Sequence, residues 1–161
     1  RILDFGKSRE SFRKNHSIQE ILGDASILVR LKLEQSQVSL SITEPKENLF
    51  VFVDKGQIQQ ALLNLILNAL GAMPNGGEIK IETFVEDGKK VGILVTDTGS
   101  GIPEELKDQI FDSFLTARTD GTGLGLTISK RILKSHDGDL EVVESGTHGT
   151  AFKISLPMVI N

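Results

Sequence analysis

Two asparagines, one aspartate and two clusters of glycines are the residues of this sequence best suited to chemistry. Asn64 and Asn68 lie four apart in the otherwise apolar run QIQQALLNLILNALGAM. On a helix that spacing puts both amides on one face. A buried amide is costly unless it is satisfied, so two on one face point to a shared polar target. A metal ion with its waters and phosphates is one such target, and an Asn carbonyl oxygen is a hard donor of the kind Mg²⁺ takes. A structural pair bonded to neighbouring backbone is the plainer alternative. Asp97 follows an apolar stretch and precedes Gly99 and Gly101. Its carboxylate can accept a hydrogen bond from an exocyclic amine, or simply form a turn before glycine. The second cluster, Gly121-Thr122-Gly123-Leu124-Gly125, runs straight into a helical pattern. Glycines permit close backbone approach and a helix start offers unpaired N–H groups, which together make a phosphate cradle. One such cluster alone also fits a flexible loop.

The remaining pattern supplies elements to position these groups. Ser17-x-x-Glu20 reads as a capping box, followed by Ile18, Ile21, Leu22, Ala25, Leu28 and Val29 at helical spacing, which predicts a helix to about Glu34. Val38, Leu40 and Ile42 alternate with polar residues as a half-buried strand, and Leu49–Val53 reads as a second. Asp54-x-x-Gln57 caps the helix of the two asparagines, which ends at Pro74-Asn75-Gly76-Gly77. Glu78–Val85 and Lys90–Thr96 form a hairpin around Asp87-Gly88. From Asp97 to Gly125 the pattern loosens, with a short helix near Glu104–Ile110; so long a loop inside a compact domain marks a functional lid. A helix over about Leu124–His136 and strands Asp139–Glu144 and Thr150–Leu156 complete an α+β domain. Residues 1–14 are read as the end of an upstream helix and a linker, and 15–161 as the domain itself.

Composition narrows the class. The 161 residues suit one domain with its own core, and a net charge of −4 argues against general nucleic-acid binding. The absence of cysteine removes disulfide and thiolate-metal chemistry. No apolar run is long enough to span a membrane. The chain opens on Arg1 rather than Met and is read as a fragment.

In order along the chain, NLILNA (64–69), DTGSGI (97–102), FDSF (111–114), GTGLGL (121–126) and GTHGT (146–150) resemble the N, first glycine, F, second glycine and third glycine boxes of sensor histidine kinases. The resemblance covers about residues 17–157. It implies the Bergerat ATP-binding fold, a two-layer sandwich of about three helices on a mixed, mainly antiparallel sheet of about five strands, with a long ATP lid. It implies ATP and Mg²⁺ as ligands. Asp97 then binds the adenine amino group, supported through a water by Thr150, while Gly99 and Gly101 let the backbone pass the base and Ile102 packs near its face. Asn68 becomes the Mg²⁺ ligand and Asn64 orients phosphate or metal waters. Gly121, Thr122, Gly123, Leu124 and Gly125 cover the triphosphate, and Phe111 and Phe114 anchor the lid.

ATPases of this fold carry Glu where this chain has Asn64, and an amide cannot act as general base. The site thus reads as one that holds ATP for transfer. Many family members carry Lys where Gly71 stands; NALGAMPNGG instead resembles the nitrogen-regulation branch, and Arg118 in the lid becomes the candidate for the γ-phosphate charge. None of His16, His136 or His148 sits in the family's acceptor motif, and each reads as a surface or turn residue. RILDF (1–5) resembles the end of a dimerisation helix. The implied partners are therefore a histidine-bearing dimerisation domain of the same protein and a response regulator receiver domain, with no nucleic acid. The implied place is a cytoplasmic domain of a protein either soluble or membrane-anchored. The alternatives are an ATPase or a serine or anti-sigma kinase of this fold, or a non-catalytic ATP-sensing module.

Overall fold

The computed structural model describes residues 12–111 and 122–160, with the backbone alone for 122–124. The described chain runs β1 (Lys14–Ser17), α1 (Ile18–Ser36), β2 (Val38–Thr43), β3 (Phe50–Val53) and α2 (Lys55–Gly71). It continues with β4 (Gly77–Glu86), β5 (Lys90–Asp97), a 3-10 helix (Glu104–Gln109), α3 (Thr122–Ser135), β6 (Asp139–Gly146) and β7 (Gly149–Pro157).

The two predicted helix caps form. Ser17 Oγ accepts the Glu20 N–H at 3.0 Å, and Asp54 Oδ1 accepts the Gln57 N–H at 3.2 Å. Caps of this kind stabilise a helix by about 1 kcal/mol each. The β4–β5 turn has Asp87 at φ 53° and Gly88 at φ 67°, the left-handed pair that a tight hairpin needs.

Five strands form one sheet in the order β2-β4-β5-β7-β6. β2 and β4 are parallel and the other pairs antiparallel, as expected of a mixed, mainly antiparallel sheet. Ile79, Ile81, Ile93, Val95, Ile154 and Leu156 bury one face against α1, α2 and α3, whose Ile18, Ile21, Ile58, Leu62, Ile66 and Leu133 complete the core. One exception to strand regularity is a bulge in β6, where the register breaks between Val142 and Glu144.

Several local readings change. Lys14–Ser17, divided in the sequence reading between linker and domain, is a strand that pairs antiparallel with β3 in a separate two-stranded sheet. The 104–110 segment takes the tighter 3-10 form. Leu28, counted in the apolar face of α1, is 63% exposed beside Ile27 and Leu31, because Ile21, Ala25, Val29 and Leu33 already fill the buried stripe. Residues 112–121 of the segment expected to form the ATP lid lie outside those described.

Candidate nucleotide site

The site is organised by one stripe of α2. Asn64, Asn68 and Ala72 follow one another at four-residue spacing, so they lie on one face over about 12 Å of helix length. At one end, Asn64 Nδ2 donates to the Gly125 carbonyl in the first turn of α3 at 3.2 Å. A Cβ on Gly125 would lie 3.1 Å from Asn64 Cγ, so the missing side chain lets the two helices meet here. At the other end, the Asp97–Gly101 loop rests on Ala72: Ser100 N–H donates to the Ala72 carbonyl at 3.3 Å, and Gly99 packs on the Ala72 methyl. Asn68 stands between the two glycine segments, half-buried, its side chain hydrogen-bonded to no described residue.

Asp97 ends β5 and is 5% exposed. Its Oδ1 accepts the Gly99 N–H at 2.8 Å and the Thr150 N–H at 3.3 Å. Burial raises its pKa above the ordinary carboxylate value, against the opposing pull of those two amides. Oδ2 takes no hydrogen bond from a described residue. Gly149 makes the arrangement fit: its φ is 133°, and any side chain there would collide with the Asp97 carbonyl.

Thr150 is buried beside Asp97. The half-buried Ile102 N–H donates to Ser145 Oγ at 2.8 Å, and Ser145 Oγ is 3.0 Å from Thr150 Oγ1. Lys107 Nζ adds a bond to the Ser145 carbonyl at 3.2 Å. Gly101, at φ 83°, lies against the Gly146 backbone. The first and third glycine segments are thus one bonded unit. Ser145, Thr98 and Lys107 escaped the sequence reading. Thr98 Oγ1 accepts the Glu78 N–H at 3.0 Å and contacts Met73 Sδ, pinning the loop to β4 and to the end of α2. Ser145 was legible in principle, because the two-residue turn Thr147-His148 makes it the cross-strand partner of Thr150.

A cavity of about 250 Å³ is lined by Leu94, Thr96, Asp97, Ser145, Thr150 and Ala151, among others. Leu94, Thr96 and Ala151 occupy strand positions opposite those packed on the helices, so this cavity opens on the outer face of the sheet. It is not the space between Asp97 and Asn68.

Phe111 packs edge-on against Phe152 at 6.4 Å, under Lys130 Nζ and bonded through its carbonyl to Thr127. These contacts tie the end of the first described stretch to the core. Thr122, Gly123 and Leu124 form the first residues of α3, while Phe114, Arg118 and Gly121 lie outside the described residues.

The histidines need one correction. His136 does stand in the turn that ends α3, but at 4% exposed it is not a surface residue. Its Nε2 accepts the Asp54 N–H at 3.2 Å, and its Nδ1 bonds the Ile132 carbonyl at 2.9 Å. The ring is a neutral strut between the cap of α2 and the end of α3, and burial holds its pKa below the usual value.

The family described as histidine kinase-, DNA gyrase B- and HSP90-like ATPase matches residues 53–160. The chain belongs to this family. Among its members, sporulation kinase A of Bacillus subtilis is 33% identical over 157 residues, which are 97% of this chain and 26% of that kinase. The sensory histidine kinase/phosphatase NtrB of Azospirillum brasilense is 38% identical over 122 residues, 67% of this chain and 30% of NtrB. This chain thus spans between a quarter and a third of either relative. The solved catalytic domain of histidine kinase ThkA superposes with a TM-score of 0.80 at 33% identity, covering 90% of this chain and 97% of that one. ThkA has also been solved in complex with response regulator protein TrrA, a structure matched at TM-score 0.76 and 30% identity over 90% of this chain and 41% of that one. The fold of this ATPase-family domain is therefore that of histidine kinase catalytic domains. No described helix is long and apolar enough to cross a membrane.

Proposed function

We propose that this chain is the ATP-holding domain of a sensor histidine kinase: it binds Mg-ATP and presents the γ-phosphoryl group to a histidine on a dimerisation domain. The observation that carries the reading is the α2 stripe, with Asp97 at one glycine segment, Gly125 at the other and Asn68 between them. In this reading Asp97 Oδ2 accepts the adenine amine, and Thr150 supports the base from the neighbouring strand. Ile102 packs near the base. Asn68 offers its carbonyl oxygen to Mg²⁺; one neutral protein donor suits an ion that draws its other ligands from phosphate and water. The bound ion would neutralise charge on the transferring phosphoryl group.

Asn64 takes a more limited part than the resemblance implies. Its Nδ2 is committed to Gly125, leaving Oδ1 to orient a water or phosphate-bound ion. Neither atom is a base, so transfer to an external nucleophile fits better than hydrolysis. Thr122, Gly123, Leu124 and Gly125 put the N-terminal end of α3 beside Asn64, where N–H groups and the helix dipole favour phosphate. Arg118 and Gly121 complete the reading as phosphate-side groups of the lid. By analogy with the ThkA–TrrA complex, the downstream partner is a response regulator. A domain that draws on ATP lies on the cytoplasmic side.

The test is a pair of measurements on the chain alone. Calorimetry is expected to show Mg²⁺-dependent ATP binding, and a phosphate-release assay to show no sustained turnover. Steady phosphate release would favour the ATPase reading and overturn this one.

A further inference from the structure

β5 leaves the sheet one residue after Asp97, and a side chain rather than the backbone ends the pairing. Ile79 and Asp97 are the last registered pair of β4 and β5, so Glu78 and Thr98 stand opposite each other next. In an antiparallel ladder a hydrogen-bonded pair exchanges two main-chain bonds. Here the Thr98 N–H donates to the Glu78 carbonyl at 3.2 Å, but the Glu78 N–H donates to Thr98 Oγ1 at 3.0 Å. The hydroxyl takes the place of the Thr98 carbonyl.

Chemistry fixes the direction of each bond. An amide N–H only donates and a thioether sulfur only accepts, so Oγ1 accepts from Glu78 and directs its own hydrogen at Met73 Sδ, 3.4 Å away. Met73 is buried just past the end of α2. Gly77 leaves room for this meeting, since a Cβ there would lie 2.5 Å from Met73 Sδ and 2.7 Å from Thr98 Oγ1. One hydroxyl thus joins β4, β5 and the end of α2.

The residues after Thr98 depend on that exit. Gly99 packs on the Ala72 methyl, and Ser100 N–H reaches the Ala72 carbonyl at 3.3 Å. The Gly99 N–H turns back to Asp97 Oδ1 at 2.8 Å. A Val at position 98 has the same branched shape and suits a strand equally well, but offers Glu78 no acceptor. The Glu78 N–H would then take the main-chain carbonyl, the ladder would run one pair further, and Gly99 would be drawn away from Asp97 and Ala72.

We propose that Thr98 is a positioning residue for base recognition: its hydroxyl ends the β4–β5 ladder and turns the chain onto α2, so that the Gly99 N–H holds the Asp97 carboxylate in its recognising pose. The inference rests on the reading of Asp97 as the base-binding carboxylate.

The test compares calorimetric affinities of the whole chain for the Mg²⁺ complexes of ATP and purine riboside triphosphate, which keeps the ring, ribose and phosphates and lacks the exocyclic amine. Their ratio reads the contact between amine and carboxylate, and wild type should prefer ATP by about tenfold or more. Thr98→Val should cut that preference by about three- to tenfold, the worth of one neutral hydrogen bond, with purine riboside triphosphate affinity held within about twofold. Thr98→Ser, which restores the hydroxyl, should restore the preference. A merely structural role would weaken both nucleotides together and leave the ratio unmoved. Should Thr98→Val fail to fold, Thr98→Ala is read the same way. A ratio unchanged by loss of the hydroxyl, or one that Thr98→Ser does not restore, overturns the proposal. A wild-type ratio near one would instead remove the Asp97 assignment beneath it, and the proposal with it.

Discussion

Replacing Asp97 by Asn separates what this side chain does for a nucleotide from what it does for the fold. The amide keeps the size of the carboxylate, and its Oδ1 can still accept the Gly99 and Thr150 N–H groups at 2.8 and 3.3 Å. The outward atom, however, changes from acceptor to donor. A hydrogen bond to a charged acceptor contributes about 1.5–3 kcal/mol, and two donors left face to face cost about another 1–3 kcal/mol. The sum corresponds to a loss of about two to four orders of magnitude in ATP affinity. Turning the amide over does not help, because its NH₂ would then face the two backbone N–H groups. Stability should move the other way. Burial raises the Asp97 pKa, so the charged form is disfavoured in the folded state. The stability this group contributes is present in acid and lost as pH rises through its folded value. Asp97→Asn should therefore raise the melting temperature at pH 7, by about 2–4 °C for each kcal/mol gained in a domain of this size, with the gain shrinking toward pH 4. Calorimetric titration and thermal unfolding measure both effects. ATP affinity within about threefold of wild type would refute the adenine assignment, and a lowered melting temperature at neutral pH would refute the electrostatic argument.

Three further outcomes follow from the same geometry. Asn68→Ala should cut Mg²⁺-dependent ATP affinity about tenfold or more while leaving metal-free binding within about twofold, as expected of one lost ligand; equal losses with and without Mg²⁺ would count against the metal role. Gly125→Ala places a methyl 3.1 Å from Asn64 Cγ and 3.2 Å from its Cβ, both close to the α2 backbone. Overpacking at about 1–3 kcal/mol should outweigh the roughly 1 kcal/mol that Ala gains over Gly in a helix, so denaturant titration should show net destabilisation. Burial holds the His136 pKa below the usual imidazole range, so its contribution is present above that range and lost as pH falls through the folded value. Melting temperatures from pH 7 to 5 should therefore fall less steeply in His136→Gln, because the carboxylates held by Lys55 and Lys153 titrate lower still.

Much of the frame was legible because local signals and tertiary demands agree. Ser17 and Asp54 cap the helices they announce, Asp87-Gly88 turns the hairpin, and the apolar period of α2 sets Asn64 and Asn68 on one face. What escaped depends on partners distant in sequence. KNHS has no strand alternation of its own, yet pairing with Phe50–Val53 makes it β1. Phe50 and Phe52 are exposed while Val51 and Val53 are buried, a choice of face that FVFV alone leaves open. His136 looks like a helix-end residue until the Asp54 N–H arrives from 82 residues away. Ser145 is set opposite Thr150 by the turn at Thr147-His148, whereas strict alternation from Leu140 places Glu144 there, and the bulge at Val143 reconciles the two registers. At the site itself, Asp97 and Thr150 meet in one buried bond, Asn64 reaches Gly125 instead of standing free, and Arg118 lies outside the described residues.

The most direct test of the central claim supplies the acceptor this chain is proposed to serve. The chain is mixed with a separately purified histidine-bearing dimerisation helix pair, MgCl₂ and ATP labelled at the γ-position. The account predicts label on the helix pair in an acid-labile, base-stable linkage, the signature of phosphohistidine, and its loss with Asp97→Asn. Release of labelled phosphate without any labelled helix pair, or transfer that Asp97→Asn leaves intact, would contradict it.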